Sequence, residues 1–250
     1  MPARSVEWEL TMSLRGSAFV AIWNDVVSGR EAEYDLWHNR EHVPERVGVP
    51  GIIEGRRYVA PAGTRPAYFT LYDLASPDVL ASAPYLELVR EPSPRSVRMR
   101  PAFRNFVREP CRIVAAEGIG TGGAIATLRF EREPGAGEIP PASIGPTLTG
   151  LQEYAFVASL VLGEPERSGA YPIAGAAVES WVGGTRYVLL AEGTSRTALA
   201  AALGSIVEAL TTDWGALEPI LARTYDLALV VRHPGSGPRR PAQRSSSSTG

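Results

Sequence analysis

The sequence repeats one short pattern, which reads Gly16-Ser17-Ala18-Phe19-Val20-Ala21-Ile22-Trp23 near the start and Gly122-Gly123-Ala124-Ile125-Ala126-Thr127-Leu128-Arg129 near the middle. Each stretch is rich in residues that favour strands and follows a glycine, so each predicts a β-strand. A pattern that returns after about a hundred residues indicates that the chain is built from two similar units.

A second pair of positions keeps the same spacing. Tyr68 is followed by Ser76 after eight residues, and Tyr187 is followed by Ser195 after eight residues. Both serines stand where a predicted strand gives way to a helix, and serine is a preferred N-cap residue. After Ser76 comes a proline, which suits the first turn of a helix.

The predicted elements follow the same order in both parts of the chain. The first part has a strand at 17–23, a helix at about 28–43, strands at 52–60 and 66–74, helices within 76–106 and a strand at 107–115. The second part has a strand at 122–130, a short helix near 143–151, strands at 153–162 and 184–192, a helix at 195–211 and a strand at 225–232. This order is βαββαβ twice, the plan of ferredoxin-like folds.

The predicted fold class is therefore α+β, with tandem ferredoxin-like βαββαβ repeats whose antiparallel sheets pack together as a dimeric α/β barrel within one chain. A ferredoxin-like unit leaves one apolar sheet face bare, and that face must be covered. The run 154–162 is apolar on both faces, as expected for a strand buried on both sides.

The predicted organisation has four segments. Residues 1–16 form an N-terminal extension, 17–117 the first ferredoxin-like half with the candidate site, and 118–233 a second, structural half. The tail 234–250 is rich in proline, glycine and serine, so we expect it to be disordered.

The composition of the chain excludes several classes of protein. Of 250 residues, 44% are hydrophobic and 21% charged, with a net charge of −2, so no strong field would attract nucleic acid or a membrane surface. No apolar run approaches the roughly 20 residues that span a bilayer. The single cysteine, Cys111, excludes an intrachain disulfide and a multi-cysteine metal site. Without a signal-peptide pattern at the start, we expect a cytoplasmic protein.

The densest polar cluster is the segment 33–46, which holds two of the three histidines. His38 and His42 are four residues apart, which places them on one face of a helix. Pro44 disfavours helical geometry at the residue before it, so we expect the helix to end or kink there. His42 would then lie near a helix C-terminus, where the helix dipole and the neighbouring Glu41 would both raise its pKa.

Imidazole suits proton transfer near neutral pH. The candidate catalytic residues are His42, His38, Glu41 and Glu45, and the candidate substrate-binding residues are Trp37, Tyr34, Asn39, Arg57, Tyr68 and Tyr72. The carboxylates would orient the histidine, the aromatic rings would provide an apolar wall, and the tyrosines of strand 66–74 alternate onto one face. The alternatives are a solvated helix face and a half-exposed sheet face.

A metal site is not predicted at the paired histidines. In the helical zinc motif, a glutamate follows the first histidine directly, whereas here Asn39 occupies that position.

Three stretches carry a resemblance to a known family: Trp37-His38-Asn39-Arg40-Glu41-His42-Val43-Pro44-Glu45-Arg46, then Val49-Pro50-Gly51, then Gly55-Arg56-Arg57-Tyr58. Here the sequence resembles the dimeric α/β-barrel superfamily, in particular its EthD-like relatives. These proteins often have an aromatic residue, a histidine-x-proline at the end of the first helix, a proline-glycine turn and an arginine-tyrosine strand. The matching histidine is His42, and the resemblance covers roughly residues 17–115.

The resemblance implies a range of activities. The superfamily includes cofactor-free lyases, decarboxylases, cyclases, isomerases and monooxygenases that act on small aromatic or polyketide-like molecules, and also haem enzymes. Their pockets lie between the sheet and its helices.

From these observations we expect a cofactor-independent acid–base enzyme, resembling a lyase, isomerase or decarboxylase, that acts on a small carbonyl or phenolic substrate. His42 would carry the proton, and Tyr68 or Tyr72 would bind a developing oxyanion. The alternatives are a haem protein with His38 or His42 as axial ligand and a non-catalytic carrier of small molecules. The expected partner is a small-molecule substrate, and the chain would be a monomer with pseudo-dimeric halves or a homodimer.

Overall fold

The computed structural model describes residues 13–133, 135–166, 186–217 and 221–234, so most of the N-terminal extension and of the tail lies outside the described residues. Within these ranges the chain forms eight antiparallel strands. They are β1 (Ala18–Val26), β2 (Ile52–Val59), β3 (Tyr68–Leu74), β4 (Phe103–Gly118), β5 (Ala124–Glu131), β6 (Val157–Pro165), β7 (Arg186–Gly193) and β8 (Leu221–Arg232).

The strands close into one barrel in the order β1-β3-β2-β8-β5-β7-β6-β4. Strands β1 to β4 are contiguous in this order, as are β5 to β8, so each half supplies one four-stranded sheet. The halves join at two seams, where β2 pairs with β8 and β4 pairs with β6. The predicted α+β fold, with two ferredoxin-like units forming an intrachain barrel, is confirmed.

The inside of the barrel is an apolar core to which both halves contribute. Phe19, Trp23 and Phe69 come from the first half, and Leu190 and Tyr225 come from the second. The indole Nε1 of Trp23 donates a hydrogen bond to Oγ1 of Thr127 at 3.0 Å, which links the first strand of one half to the first strand of the other. The bare sheet faces of the two units therefore cover each other.

On its outer face, the second half is covered by two continuous helices, α5 (Pro141–Gln152) and α6 (Arg196–Trp214). Ser195 caps α6 as predicted, because its hydroxyl accepts a hydrogen bond from the amide of Ala198 at 3.3 Å. Gly215, with φ +63°, ends the helix in the left-handed conformation that glycine adopts without strain. No helix in the described ranges is long and apolar enough to cross a bilayer.

The outer face of the first half is covered by shorter pieces. The segment after β3 divides into a 3₁₀ turn (Pro77–Ala81), α3 (Ala83–Arg90), α4 (Pro94–Met99) and a second 3₁₀ turn (Arg100–Ala102). Each piece has a proline at its first or second position. Because proline cannot donate a backbone hydrogen bond, it starts a new turn and does not continue the previous one. Ser76 stands at the predicted N-cap position of the first 3₁₀ turn, but its side chain makes no capping bond, whereas Ser82 and Ser93 cap α3 and α4.

The first helix does not end at Pro44, so the predicted helix end there is wrong. Helix α1 (Glu31–Trp37) runs into a π turn (His38–His42), which runs into α2 (Val43–Val47). The amide of Val43 donates to the carbonyl of His38, five residues earlier. The extra residue widens the helix just before the proline, and the chain continues to Val47. Such π turns are frequent at functional sites.

Candidate functional site

The candidate site is a pocket between the outer face of the first-half sheet and the helices that cover it. Its volume is about 480 Å³, counting the space at its mouth. We call it the imidazole pocket, and its polar lining consists chiefly of Trp37, His38, His42, Arg46, Tyr72 and Arg100. Phe103 and Phe106, at the start of β4, add an apolar wall. The pocket therefore combines two imidazoles, two guanidinium groups and aromatic rings.

A second space of about 310 Å³ lies next to the first. We call it the aliphatic pocket, because Val20, Ile52, Leu74 and Leu80 line it. Tyr85 and Arg108 also line it, and the guanidinium of Arg108 donates to the hydroxyl of Tyr85 at 3.1 Å. The side chains of Ile22, His42, Arg46 and Tyr72 line both pockets. These four side chains therefore form the junction between a polar space and an apolar one.

His42 lies in the π turn, and its ring stacks on the indole of Trp37 with 4.5 Å between centroids. Its Nδ1 atom is buried and has no hydrogen-bonding partner among the described residues. Burial lowers the pKa of His42 well below its ordinary value, and the nearby charge of Arg46 lowers it further. The expected rise in pKa is therefore wrong. The helix does not end here, so no terminal dipole favours the charged ring.

His38 lies one turn earlier, with only 4% of its surface exposed. Its ring stacks on Tyr34 at 4.9 Å and lies 5.5 Å from the ring of His42. Its Nδ1 also lacks a partner within the described chain. Burial and then the charge of Arg57 lower the pKa of His38 well below the usual value. Both imidazoles are therefore neutral at pH 7.

The two candidate carboxylates do not orient His42 through its Nδ1 atom. Glu41 accepts a hydrogen bond from the hydroxyl of Ser93 and pairs with Arg95 at 3.4 Å. Glu45 lines a separate groove on the outside of α2 and α3. Its pKa is raised because it is partly buried, although the adjacent arginine works in the opposite direction.

Four of the predicted substrate-binding residues form a separate cluster around Arg57. The guanidinium of Arg57 pairs with Asp35 and donates to Oδ1 of Asn39 at 2.8 Å. It also lies 5.2 Å from the ring centroid of Tyr34 and 5.0 Å from that of Tyr68. Neither ring lines the imidazole pocket. The cluster holds α1 and the π turn against β2, next to the pocket and not in it.

Sequence reasoning thus placed Trp37, His38, His42 and Tyr72 in one pocket but missed its arginines. Arg46 follows His42 by four residues, the same spacing that separates the two histidines, so extending that pattern by one step would have found it. Arg100 comes from the proline-broken segment, which has no helical periodicity from which to predict a face.

Arg46 is the least expected of these residues. Its surface is 4% exposed, and neither Nε nor Nη1 has a hydrogen-bonding partner in the part of the chain that the structure describes. Its guanidinium carbon lies 5.6 Å from the ring centroid of Tyr85. A buried guanidinium without an ion-pair partner is costly, because the nearby charge of Glu45 offsets only part of the desolvation.

Gly55 of β2 brings the helix with these residues close to the sheet. A Cβ atom at this position would lie 2.9 Å from Cγ2 of Val47, 3.0 Å from Cγ1 of Val43 and 3.1 Å from the ring of Tyr72. A larger residue would push α2 away from β2 and β3. The glycine therefore sets the distance between the sheet and the helix that holds Arg46.

Comparisons with known proteins identify the fold. No protein-family model matches the chain, and no curated protein matches its sequence. Among solved structures, an anthrone oxidase-like protein is similar with a TM-score of 0.56 and 9% identity, covering 90% of this chain and 96% of that one. A protein described as a candidate monooxygenase from Fusobacterium nucleatum is similar with a TM-score of 0.51 and 9% identity. The match covers 88% of this chain and 96% of that one. At these identities the likeness shows the fold alone, which is that of dimeric α/β-barrel proteins.

Proposed function

We propose that this protein catalyses proton transfer on a small carbonyl or phenolic substrate bound in the imidazole pocket. The observation that carries the proposal is the neutral, buried imidazole of His42, whose Nδ1 has no partner in the described chain. A neutral imidazole can accept a proton, whereas a charged one cannot. The lack of a protein acceptor or donor leaves this nitrogen for a ligand.

The first step would move a proton from a C–H or O–H group of the substrate to Nδ1 of His42. The electron pair of the broken bond would remain on the substrate as an enolate or phenolate oxygen. The guanidinium groups of Arg46 and Arg100 and the hydroxyl of Tyr72 line the same pocket, where such donors would stabilise that charge. Tyr68 lies outside the pocket, so Tyr72 is the better candidate for this role.

The low pKa of His42 is compatible with its acting as a base. Burial lowers it most, and the positive charges of Arg46 and Arg100 lower it further. An anion that forms beside these groups would offset the charges of the two arginines, and the imidazolium would become more stable as the proton arrives. If His42 then returned the proton to a different atom of the substrate, the protein would be an isomerase. If the substrate anion instead lost a leaving group, the protein would be a lyase.

Hydrogen–deuterium exchange tests this proposal without knowledge of the natural substrate. Anthrone is a suitable probe, because its CH₂ group becomes acidic through conjugation with a carbonyl. Under argon in D₂O, we expect the protein to accelerate exchange at this carbon, as followed by NMR. His42→Phe should slow the catalysed exchange by about 10² or more, the usual contribution of an acid–base residue.

The third histidine provides a matched control. His233 lies just after β8 and lines neither pocket. His233→Phe should leave the exchange rate unchanged. If His42→Phe exchanges within about threefold of wild type, His42 is not the base. Binding of the probe without any catalysed exchange would instead indicate a non-catalytic carrier.

A haem protein is the second candidate. Two buried imidazoles line the pocket, and histidine is an axial ligand that haem iron takes. His42 or His38 would hold the iron, and Arg46 and Arg100 would pair with the carboxylates of the porphyrin. Bound haem would supply redox and oxygen chemistry. Titration with haemin should then give a Soret band that His42→Phe or His38→Phe alters, and an unchanged free-haemin spectrum would reject this candidate.

A further inference from the structure

Arg46 differs from the other buried arginines in the described ranges. Arg56 pairs with Glu54 and Glu192, Arg57 pairs with Asp35, and Arg129 pairs with Glu109 at 2.8 Å. The two remaining ones have acceptors as well: Arg132 donates to backbone carbonyls, and Arg186 pairs with two glutamates. Arg46 alone among these six has neither a carboxylate within ion-pair distance nor a carbonyl that accepts a hydrogen bond from it.

The surroundings of Arg46 show why no acid among the described residues forms an ion pair with it. The ring of Tyr85 lies on one side of the guanidinium, and Glu45 lines the outer groove. The guanidinium therefore faces the two pockets, with Nε and Nη1 unpartnered. A fixed positive charge of this kind is complementary to a fixed negative charge on a ligand.

The junction position of Arg46 limits the shape of that ligand. On one side lie the imidazoles, and on the other lies the aliphatic pocket, with Val20, Leu74 and Leu80 in its wall. A group that binds Arg46 can therefore extend a reactive part towards His42 and an apolar part into the aliphatic pocket. Burying an apolar chain there would add affinity in proportion to its buried area.

We propose that the ligand of this site is an amphiphilic carboxylate, whose carboxylate binds Arg46 while an alkyl or acyl chain fills the aliphatic pocket. One monoanion suits the single unpaired guanidinium at the junction. Only the description of this ligand as a substrate rests on the proposed function, because binding of the carboxylate requires no turnover.

Calorimetry with two matched probes tests the charge requirement. We expect wild-type protein to bind 4-butylbenzoate at least about tenfold more tightly than 4-butylbenzyl alcohol, which has the same shape without the charge. Arg46→Met should remove that preference while leaving the affinity for the alcohol within about threefold. Arg46→Lys keeps the positive charge but not the planar guanidinium, so it should retain part of the preference for the carboxylate.

A second variant tests whether the alkyl chain of the ligand occupies the aliphatic pocket. Wild-type protein should bind 4-butylbenzoate more tightly than benzoate, and Leu80→Trp, which fills the aliphatic pocket, should abolish that difference. Equal affinity of wild type for the acid and the alcohol, or a preference that survives Arg46→Met, would overturn the inference. If Leu80→Trp leaves the affinity difference between 4-butylbenzoate and benzoate unchanged, the alkyl chain does not lie in the aliphatic pocket.

The two proposals can fail separately. If probe exchange depends on His42 but the carboxylate preference is absent, only the ligand class is wrong. If the carboxylate preference depends on Arg46 but no exchange is catalysed, the binding site stands and the proton-transfer function is rejected.

Discussion

The two halves of the barrel have the same strand order but different covers. In the second half, the single helix α6 buries Leu199, Ile206, Leu210 and Trp214 against the sheet. In the first half, prolines divide the corresponding segment into short pieces, and two pockets remain beneath them. The two pockets that hold the histidines therefore lie beneath the cover that prolines break.

The largest expected loss of stability is at one of two tryptophans in matched settings. The indole of Trp214 donates to the carbonyl of Ser143 at 3.4 Å, and that of Trp37 donates to the hydroxyl of Ser96 at 3.2 Å. Trp214→Ala should lower the free energy of unfolding by about 3–5 kcal/mol, because it leaves an enclosed cavity. Trp37→Ala should cost at least about 1 kcal/mol less, since the space it leaves joins an existing pocket. Urea unfolding measures both values, and equal losses would show that the first half is as tightly packed as the second.

A second test compares two buried arginines. Arg129 in the second half is ion-paired, so Arg129→Met should lower the free energy of unfolding by about 3 kcal/mol. Arg46 in the first half forms no ion pair with the described residues, so Arg46→Met should raise it by about 1–2 kcal/mol by removing a buried charge that is only partly compensated. Urea unfolding without ligand shows whether each substitution lowers or raises the free energy of unfolding. A large loss of stability for Arg46→Met would mean that Arg46 has a structural acceptor after all.

The third test uses pH. The folded state holds His38 with a pKa well below its ordinary value of 6.5, so below about pH 6.5 the unfolded chain takes up this proton first. Stability should therefore fall with decreasing pH, by up to about 1.4 kcal/mol per pH unit from this residue. His38→Leu should lose less stability than wild type between pH 7 and pH 5, and above pH 7 the two profiles should run parallel. Identical slopes over the whole range would show that His38 is charged in the folded protein.

The smallest effects are expected at two glycines. Gly55→Ala places a methyl group against Val43 and Val47 and should cost about 1–2 kcal/mol. Gly204→Ala, on the exposed side of α6 with nothing within 4 Å of its Cβ position, should stabilise the protein by about 1 kcal/mol. Thermal unfolding distinguishes the two. A neutral Gly55→Ala would show that α2 can shift without cost.

The sequence was sufficient to predict the fold, because its signals are local and repeated. Strand runs that follow Gly16 and Gly122 gave β1 and β5 within a few residues. Ser195 marked the start of α6 correctly, since nothing after it interrupts the helical pattern. Ser76 failed as a cap because a single turn follows it before the next break. EthD-like membership in particular stays a prediction.

The site was harder to predict, for two physical reasons. In the π turn the amide of Val43 bonds to the carbonyl five residues earlier, so a regular helical pattern does not predict that the helix continues past Pro44. The partners of a side chain also depend on tertiary packing. Glu41 is next to His42 in sequence but pairs with Ser93 and Arg95 on another element, and no local pattern contains that information.

The seams between β2 and β8 and between β4 and β6 lie within one chain. Their formation is a unimolecular event, so the concentration of protein does not enter the free energy of closing the barrel. A barrel made from two identical chains would place every substitution in both halves at once. Here a substitution occurs once, and one half can lose stability to hold an unpaired charge while the other half supplies the packing that compensates for it.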